Sequence, residues 1–533
     1  MNRVLFFILF AIGCAGSVMA QPMGFRNSQE KVYVVFTDKH NVSFNPYRYF
    51  DKKAIERRQK QHLPLYDSTD FPLSSQYVEQ IKSIADSVGY QLRWFNMLVA
   101  WITPKEAEKI MALPFVKTIV YPLSKTPVLC SIAKDKPYDT LLKETQEAIL
   151  KDQLQAMQGE TFIKNGFNGK GIRIAIFDAG FPTVDTNPVF AHIRQKHHIL
   201  KTWDFVRNKE NVYKHNSHGL MTFSCIAGKL GDKQIGLATE SEFLLARTEQ
   251  WREPFSEEEN WMKALEWADK NGADIISSSL GYTTPRYFKS DMDGHTSYVT
   301  RAANLAARKG ILVINAAGNE ADSKWRTLGA PADADSILTI GGVKPFSHYH
   351  ISFSSVGPTH DGRLKPNVVA LGHATLAGKH GLTDAYGTSF STPLVAGFAA
   401  CAWQAQPKLT NMQLAFAIQH SATLFPYFDY AHGFGIPQAD FFVHEMKRPP
   451  ELHQYHYVFR NDTLVVELTR QLNTTREDNY FYYKILSPNH KIDRYFVVAI
   501  RQKQFLKIPI TKDLSGYTIE STYRNDFQRY KFP

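Results

Sequence analysis

One serine lies at the start of an apolar helical segment, in a setting that suits a nucleophile. The residues from Gly387 to Pro393 read Gly-Thr-Ser-Phe-Ser-Thr-Pro, and small apolar residues follow them. We predict that Pro393 stands in the first turn of a helix, where its missing N–H costs little. Ser389 would then present its hydroxyl and its backbone N–H at the positive end of that helix, where both favour a developing oxyanion. Taken alone, the motif could equally be a simple helix cap.

A serine hydroxyl is a weak nucleophile near neutral pH, so it needs a base, and the base needs an acid. Of the 19 histidines, His218 is the best placed, because it opens an apolar helix that we expect to end at Gly228. Asp178 follows an apolar strand and precedes Ala179-Gly180, so it can orient the histidine and stabilise the imidazolium. Each residue in isolation also fits an ordinary role, a surface histidine or a turn-capping aspartate.

A fourth polar side chain completes the set. Asn319 follows Ala316-Ala317-Gly318 at the end of another apolar strand, where its amide could donate to an oxyanion. An asparagine in a tight turn is the alternative interpretation. Along the chain the candidates run Asp178, His218, Asn319, Ser389. An Asp–His–Ser order is that of subtilisin and differs from those of chymotrypsin and the α/β-hydrolases.

With these motifs in this order, the chain resembles the subtilisin-like serine peptidases. The resemblance implies endopeptidase action through an acyl-enzyme, with Ser389 as nucleophile, His218 as base and Asn319 in the oxyanion hole. It also implies a substrate-binding site made of two short segments, Ser279-Leu280-Gly281 and Ala316-Ala317-Gly318. The first would hold substrate by β-pairing, and the second would help to wall the pocket for the residue before the cut.

A few positions depart from the pattern of that family. Ala179 stands where serine or threonine usually follows the aspartate, which removes one local hydrogen bond but not the carboxylate. Leu220 and Met221 replace the usual threonine and second histidine after His218-Gly219. These positions are peripheral to the proton path, so the predicted chemistry is intact.

Two other functions stay open at this stage. An inactive relative could keep the subtilisin fold as a binding protein. An esterase of the α/β-hydrolase type would carry a Gly-x-Ser-x-Gly motif, but Ser391 occupies the position of the final glycine and the chain order differs. Retention of Asp178, His218, Asn319 and Ser389 favours the peptidase.

Apolar strands alternate with amphipathic helices over residues 142–446, and these elements must position the candidate residues. Unbroken apolar runs are typical of parallel strands buried on both faces. We therefore predict an α/β domain with a three-layer, doubly wound parallel sheet of the subtilisin-like type, its functional loops at the carboxyl ends of the strands. The predicted strands are 172–177, 243–246, 275–278, 311–315, 337–340 and 368–371.

Residues 21–135 precede this domain and mix strand and helix patterns, which predicts a small α+β domain. Strands are expected at 32–36, 97–102 and 116–121, with helices near 78–84 and 106–111. The segment is similar to the inhibitory, chaperone-like propeptides of the family. The resemblance implies autocatalytic removal, with a cut between about Lys125 and Gln153.

Residues 447–533 follow the α/β domain and change periodicity to short β segments between turn residues. They predict a C-terminal antiparallel β-sandwich. The segments 485–488, 505–508 and 514–517 resemble a divergent sorting domain of the type IX secretion pathway. An accessory β-domain is the alternative.

The first 20 residues predict secretion. A positive start, an apolar run from Val4 to Ile12 and small residues before Ala20 form a signal peptide that is too short to span a bilayer. A lipoprotein site at Cys14 is disfavoured because Ala11, rather than leucine, stands three residues before it. No later run of 18 or more apolar residues occurs. We expect a secreted or cell-surface protein without a stable transmembrane segment.

Composition limits the partners and cofactors. The net charge is +11, but the basic residues are scattered and accompany no nucleic-acid motif, so we expect protein or peptide substrates and the chain's own propeptide as partners. The secretion machinery is a further expected partner. Cys130, Cys225 and Cys401 are too far apart to predict a disulfide framework or a zinc site. No cofactor is required by the predicted chemistry. Calcium sites are common in the family, so calcium stays a possible ligand, but no unambiguous acidic cluster assigns its site.

Overall fold

A computed structural model describes residues 29–122, 146–250, 256–444, 446, 453–460, 463–469, 479–500, 505–509 and 514–532. The predicted signal peptide, Cys14, Cys130 and most of the predicted cleavage window lie outside these residues. The predicted domain bounds, 21–135, 142–446 and 447–533, stay predictions, because the described residues do not cover both sides of the junctions.

The N-terminal domain is an antiparallel four-stranded sheet with helices, in the strand order β2-β3-β1-β4. Val32, Val34 and Ile110 lie in its own core, while the opposite face of the sheet contributes to a core shared with the central domain. Its elements are β1 (Glu30–Phe36), α1 (Pro46–Tyr49), α2 (Lys52–Lys60), α3 (Ser75–Lys82), β2 (Ser87–Leu92), β3 (Met97–Ile102), α4 (Pro104–Met111) and β4 (Val116–Val120).

The central domain contains a parallel sheet of seven strands in the order β13-β12-β11-β10-β5-β9-β6. This confirms the predicted doubly wound parallel sheet. Its strands are β5 (Arg173–Asp178), β6 (Ile199–Asp204), β9 (Glu242–Arg247), β10 (Ile275–Ser278), β11 (Leu312–Ala316), β12 (Leu338–Val343) and β13 (Val368–Leu371); two hairpins add β7 (Lys229–Leu230), β8 (Lys233–Gln234), β14 (His373–Gly378) and β15 (Gly381–Tyr386).

Helices cover both faces of this sheet. They are α5 (Gln146–Gln155), α6 (Gly159–Lys164), α7 (Ala191–Gln195), α8 (His218–Ala227), α9 (Ser256–Lys270), α10 (Tyr298–Arg308), α11 (Thr388–Ala405), α12 (Asn411–Ser421) and α13 (Ala439–Val443). Alternate residues of β5 point to opposite faces, as the pleat requires. Ile174 and Ile176 join the core of α8 and α11, whereas Ala175 and Phe177 join the core of α9 and α10. The domain therefore has three layers.

Helices α8 and α11, which carry the candidate base and nucleophile, approach each other closely. A Cβ atom on Gly397 would lie 2.7 Å from the carbonyl oxygen of Ile226, so only glycine fits at this crossing. A Cβ atom on Gly219 would lie 2.3 Å from the Gly180 carbonyl oxygen, which explains the glycine after His218. The small residues of both motifs thus serve packing.

The C-terminal domain consists of two antiparallel sheets, one of three strands and one of four. Tyr455 and Leu464 from the first sheet and Phe481 and Ile519 from the second share one buried core, as expected for a β-sandwich. The strands are β16 (Tyr455–Arg460), β17 (Thr463–Leu468), β18 (Tyr480–Leu486), β19 (Ile492–Ala499), β20 (Phe505–Pro509), β21 (Thr518–Tyr523) and β22 (Asp526–Lys531).

Candidate active site

Asp178 and His218 come together at the carboxyl end of β5. Asp178 is the last residue of that strand and is fully buried, and His218 is the first residue of α8. His218 Nδ1 donates to Asp178 Oδ1 at 2.8 Å. The helix start is fixed by Asn216, whose side-chain oxygen accepts the His218 backbone N–H at 2.9 Å. The end of β5 and the start of α8 thus place the Asp178 carboxylate and the His218 imidazole in contact.

The contact between Asp178 and His218 changes the pKa of the imidazole. Burial opposes the charged form and by itself lowers the pKa of His218. The negative charge of Asp178 and the hydrogen bond from Nδ1 act in the opposite direction, and together they outweigh burial. The pKa of His218 is therefore raised above its ordinary value of 6.5.

The segment after Asp178 is held by a buried ion pair. Arg247 Nη1 donates to both carboxylate oxygens of Asp204, at 3.1 and 3.0 Å, and Arg247 Nε donates to the Ala179 carbonyl at 3.1 Å. The backbone N–H of Thr248 donates to the Asp178 carbonyl at 2.9 Å. Neighbouring strand β9 therefore fixes the backbone on both sides of the Asp178–Ala179 peptide.

Ser389 lies in the first turn of α11, after the N-cap residue Gly387. The prediction for Pro393 was wrong: the helix begins at Thr388, which puts the proline inside it rather than in its first turn. Pro393 cannot donate to the Ser389 carbonyl four residues earlier. Ser279 Oγ supplies the missing donor at 2.8 Å. The segment predicted to bind substrate thus also completes the hydrogen bonding of the nucleophile helix.

The Ser389 hydroxyl donates to the Ser279 carbonyl oxygen at 3.2 Å. Within the described residues, no hydrogen bond joins Ser389 to His218. The residue after Ser389 does approach the histidine, since the ring of Phe390 lies 5.6 Å from the ring of His218. Catalytic hydrogen bonds are often loose without substrate.

Asn319 is oriented by the residue before Ser389. Its Oδ1 accepts from the backbone N–H and the hydroxyl of Thr388, at 2.9 and 3.0 Å. A backbone N–H can only donate, so Oδ1 is the atom that faces Thr388 and the Nδ2 donor remains for another acceptor. A Cβ atom on Gly387 would lie 3.6 Å from that Nδ2, which places it beside the start of α11.

The two predicted substrate segments follow neighbouring strands and meet at one edge of the sheet. Ser279, Leu280 and Gly281 come directly after β10, and Gly281 is exposed. Within the described residues, the backbone N–H and carbonyl of Gly281 make no hydrogen bond. This leaves an open strand edge.

The second segment begins at the last residue of β11, Ala316, and is fixed by its neighbours. The Ala317 N–H donates to Ile340 at 2.9 Å, and the Gly318 carbonyl accepts the N–H of Ser355 at 2.9 Å. Ala317 is fully buried and packs in a small cluster with Leu328 and Ala332. The segment is rigid backbone beside small apolar side chains.

Two residues that contact the candidate site residues were not predicted from the sequence. Thr388 orients Asn319, as described above, and Thr222 Oγ1 donates to Asp178 Oδ2 at 2.9 Å. The sequence could have indicated Thr222, because it follows His218 by four residues on one helix and such residues share a face. The sequence could not have indicated Thr388, because its contact is with a residue 69 positions away.

Cysteines and metal ligands play no part in this arrangement. Cys225 and Cys401 are buried free thiols. In the described part of the chain, no group of three or more His, Cys, Asp or Glu side chains could hold a metal ion. The same residues contain no helix that is both long enough and apolar enough to cross a membrane.

Sequence comparison identifies the family. Residues 169–436, half of the chain, match the model of the subtilase family. Residues 31–136 match the model of the peptidase S8 propeptide domain of Bacteroidota. The chain belongs to the subtilase family.

Individual relatives agree with this assignment. Subtilisin NAT of Bacillus subtilis subsp. natto is 31% identical over 265 residues, which are 48% of this chain and 62% of that protein. Subtilisin of Bacillus pumilus is 30% identical over 265 residues, 48% of this chain and 86% of that protein. The match thus spans less than two thirds of subtilisin NAT. The crystal structure of MycP1 from Mycobacterium smegmatis aligns with a TM-score of 0.45 and 20% identity, over 61% of this chain and 89% of that one.

Proposed function

We propose that this protein is a serine endopeptidase, made as a precursor, that hydrolyses peptide bonds of protein or peptide substrates through an acyl-enzyme. One observation carries the proposal: in a subtilase domain, buried Asp178 holds His218 at 2.8 Å, at the same edge of the sheet as Ser389 and Asn319. An acid, a base, a nucleophile and an amide donor in this setting suit acyl transfer.

The reaction begins when the Ser389 hydroxyl turns from the Ser279 carbonyl to His218 Nε2. Ser389 Oγ attacks the scissile carbonyl carbon, and its proton passes to Nε2, which makes an imidazolium stabilised by Asp178. The negative charge that develops on the carbonyl oxygen is stabilised by Asn319 Nδ2 and the backbone N–H of Ser389. His218 then returns the proton to the leaving amine, and the acyl group stays on Ser389.

Deacylation repeats these steps with water. His218 takes a proton from the water, whose oxygen attacks the ester carbonyl, and the same donors stabilise the second oxyanion. The proton returns to Ser389 Oγ as the carboxylic acid leaves. Every proton is carried by His218, so the chemistry requires no cofactor. Calcium stays unassigned.

The free edge at Gly281 supports extended binding of a peptide. A substrate strand can pair with the segment Ser279–Gly281 at the exposed backbone of Gly281, as in β-strand addition. The backbone of Ala316–Gly318 then walls the pocket for the residue before the cut. We infer that the substrate is held mainly by its main chain, which suits an endopeptidase acting within long chains.

The N-terminal domain is proposed to act as an inhibitory propeptide that the enzyme removes itself. The predicted window for the cut, residues 125–153, can be narrowed. Helix α5 begins at Gln146, and Ile149 and Leu150 are buried in the central core. Gln153 is fully buried and accepts the Thr375 N–H at 3.1 Å. Cleavage within this helix would expose core residues, so we expect the cut before Gln146.

The proposal includes export. A signal peptide over residues 1–20 would direct the chain out of the cell, with a lipid anchor at Cys14 as the disfavoured alternative. The C-terminal β-sandwich would act as a sorting domain read by the secretion machinery, or as an accessory domain. N-terminal sequencing of secreted Ser389→Ala protein tests the first point: this variant should keep its N-terminal domain, so the result reports whether the chain starts after Ala20.

Processing of the precursor tests the proposed activity. We expect wild-type protein to yield two chains cut between about residues 125 and 145, and Ser389→Ala to remain one chain. A peptide-library digest then separates the alternatives, since an esterase would leave peptides intact while hydrolysing esters. An inactive binding protein predicts that wild type and Ser389→Ala behave alike in both assays, and that result would refute the proposal.

A further inference from the structure

The two oxygens of the Asp178 carboxylate have different partners. Oδ1 accepts from His218 Nδ1 at 2.8 Å and from the backbone N–H of Ala179 at 2.7 Å. Oδ2 accepts from Thr222 Oγ1 at 2.9 Å. Asp178 is 0% exposed and Thr222 is 1% exposed, so no solvent reaches this oxygen in place of the hydroxyl. A buried anionic oxygen depends strongly on each donor it has.

Helix α8 delivers both side chains that contact the carboxylate. Thr222 follows His218 by four residues and therefore lies one turn along the same face. Its hydroxyl has a second acceptor within reach, the Gly219 carbonyl oxygen at 3.3 Å. The Asp178 oxygen is nearer and charged, so it takes the single proton.

The residue after Asp178 has no hydroxyl to offer. Ala179 contributes its backbone N–H to Oδ1, on the same side as the imidazole. Among the described residues, the carboxylate without Thr222 would have all its donors on Oδ1 and could rotate about its Cβ–Cγ bond. Thr222 on α8 therefore supplies the hydrogen bond to Oδ2 that the residue after β5, Ala179, does not make.

We propose that Thr222 is a positioning residue, whose hydroxyl fixes the rotation of the Asp178 carboxylate and through it the orientation of His218. The inference rests on the proposed function of the Asp178–His218 pair. Thr222 is buried and touches no substrate segment, so it acts on the chemical step and not on substrate binding. Its loss should appear in kcat and leave KM unchanged.

The kinetic experiment compares Thr222→Val, which keeps the shape and loses the hydroxyl, with Thr222→Ser, which keeps the hydroxyl. Thr300→Val is the matched control. Thr300 lies on helix α10, and its Oγ1 likewise donates to a fully buried carboxylate, that of Asp333, at 2.6 Å. We expect Thr222→Val to lower kcat roughly tenfold to a hundredfold, with KM within about twofold of wild type. Thr222→Ser should recover most of the loss, and Thr300→Val should keep wild-type kcat.

A second readout is independent of activity. In the Ser389→Ala protein, the downfield proton resonance of His218 Nδ1–H reports the hydrogen bond to Asp178. We expect adding Thr222→Val to move this resonance and to speed its exchange with solvent, while adding Thr300→Val leaves both unchanged. Should Thr222→Val fold poorly, Thr222→Ala removes the same hydroxyl without a branched side chain and serves in its place.

The outcomes separate two kinds of failure. A wild-type protein that cuts no peptide refutes the proposed function, and the resonance still decides whether Thr222 positions the pair. An active wild type with unchanged kcat and unchanged His218 resonance in Thr222→Val overturns the role of Thr222 alone. If kcat falls equally in Thr222→Val and Thr300→Val, the effect of Thr222→Val is a general loss of stability, and this result also overturns the proposal.

Discussion

His218 is held by a carboxylate whose charge and hydrogen bond together outweigh the effect of burial, so the pKa of its imidazole is raised above 6.5. A general base must be neutral to accept a proton. Below the raised pKa the ring is protonated and inactive, and activity returns as the pH rises through that value. We therefore expect the acid limb of the kcat/KM profile to lie above pH 6.5. A limb at or below pH 6.5 would show that Asp178 does not charge-stabilise the imidazole.

Asn319 offers a second test at this scale. Asn319→Asp keeps an oxygen that accepts from Thr388 but replaces the Nδ2 donor by a negatively charged oxygen. Losing one oxyanion donor costs about 10²–10³ in kcat. We expect a kcat loss of at least that size with KM within a few-fold, measured on a peptide substrate. A rise in KM of the same size with unchanged kcat would mean that Asn319 binds substrate and does not stabilise the oxyanion.

Residue types and their order were enough to predict the four candidates, because each follows a strand or opens a helix with a distinctive neighbour. Their supports were harder to predict. Arg247 and Asp204 stabilise the Ala179 backbone across two strands, and nothing in either local sequence indicates that contact. Pairings between distant segments depend on the fold, and a single sequence does not record them.

At the scale of elements, helix α11 contains a proline that removes the donor for the Ser389 carbonyl, and Ser279 Oγ replaces it. Ser279→Ala leaves that buried carbonyl unpaired, at a cost of about 1–3 kcal/mol. Pro393→Ala restores a backbone N–H at the right position. We expect Ser279→Ala to be less destabilising in the Pro393→Ala background, measured as urea midpoints in Ser389→Ala protein to prevent self-digestion. Strict additivity of the two changes would contradict the compensation.

Element prediction succeeded where apolar runs were strong and failed where exposed or charged residues interrupt them. The central strands of the sheet were found to within a few residues. The edge strand β6 was missed, since Leu200 and Lys201 are exposed and break the apolar pattern. Helix α2 was missed because charged residues dominate it, although Arg57 and Arg58 are buried and both bond Asp269 of the central domain.

Across the whole molecule, two of the attachments between the N-terminal domain and the central domain differ in kind. One is an apolar face, where Tyr33 and Trp94 pack with α9 and α10, and Tyr33 OH donates to Glu259 at 2.6 Å. The other is helix α2, where Arg57 and Arg58 both bond the buried carboxylate of Asp269. The second attachment is polar and fully enclosed.

This polar attachment predicts how firmly a cut propeptide is retained. Removing one partner of a buried charge pair costs about 2–5 kcal/mol, or at least roughly thirtyfold in affinity. We expect Arg58→Met to release the processed N-terminal domain during size-exclusion chromatography, whereas wild type retains it. Lys52→Met is the control, because Lys52 is exposed and its ion pair is with Glu56 of the same helix. Equal retention in all three proteins would show that the apolar face alone sets the affinity.

Hydrolysis of casein by processed wild type, Ser389→Ala and Ser391→Ala tests whether Ser389 is the nucleophile. Ser391 is the control, since it lies two residues away and its hydroxyl donates to the Leu371 carbonyl. Ser389→Ala should not process itself, so all three chains carry Arg58→Met to release the N-terminal domain, are cut by an added protease between residues 125 and 145, and are then purified. We predict cleavage by wild type and Ser391→Ala and none by Ser389→Ala. Cleavage by Ser389→Ala at the wild-type rate would contradict the assignment of Ser389 as nucleophile.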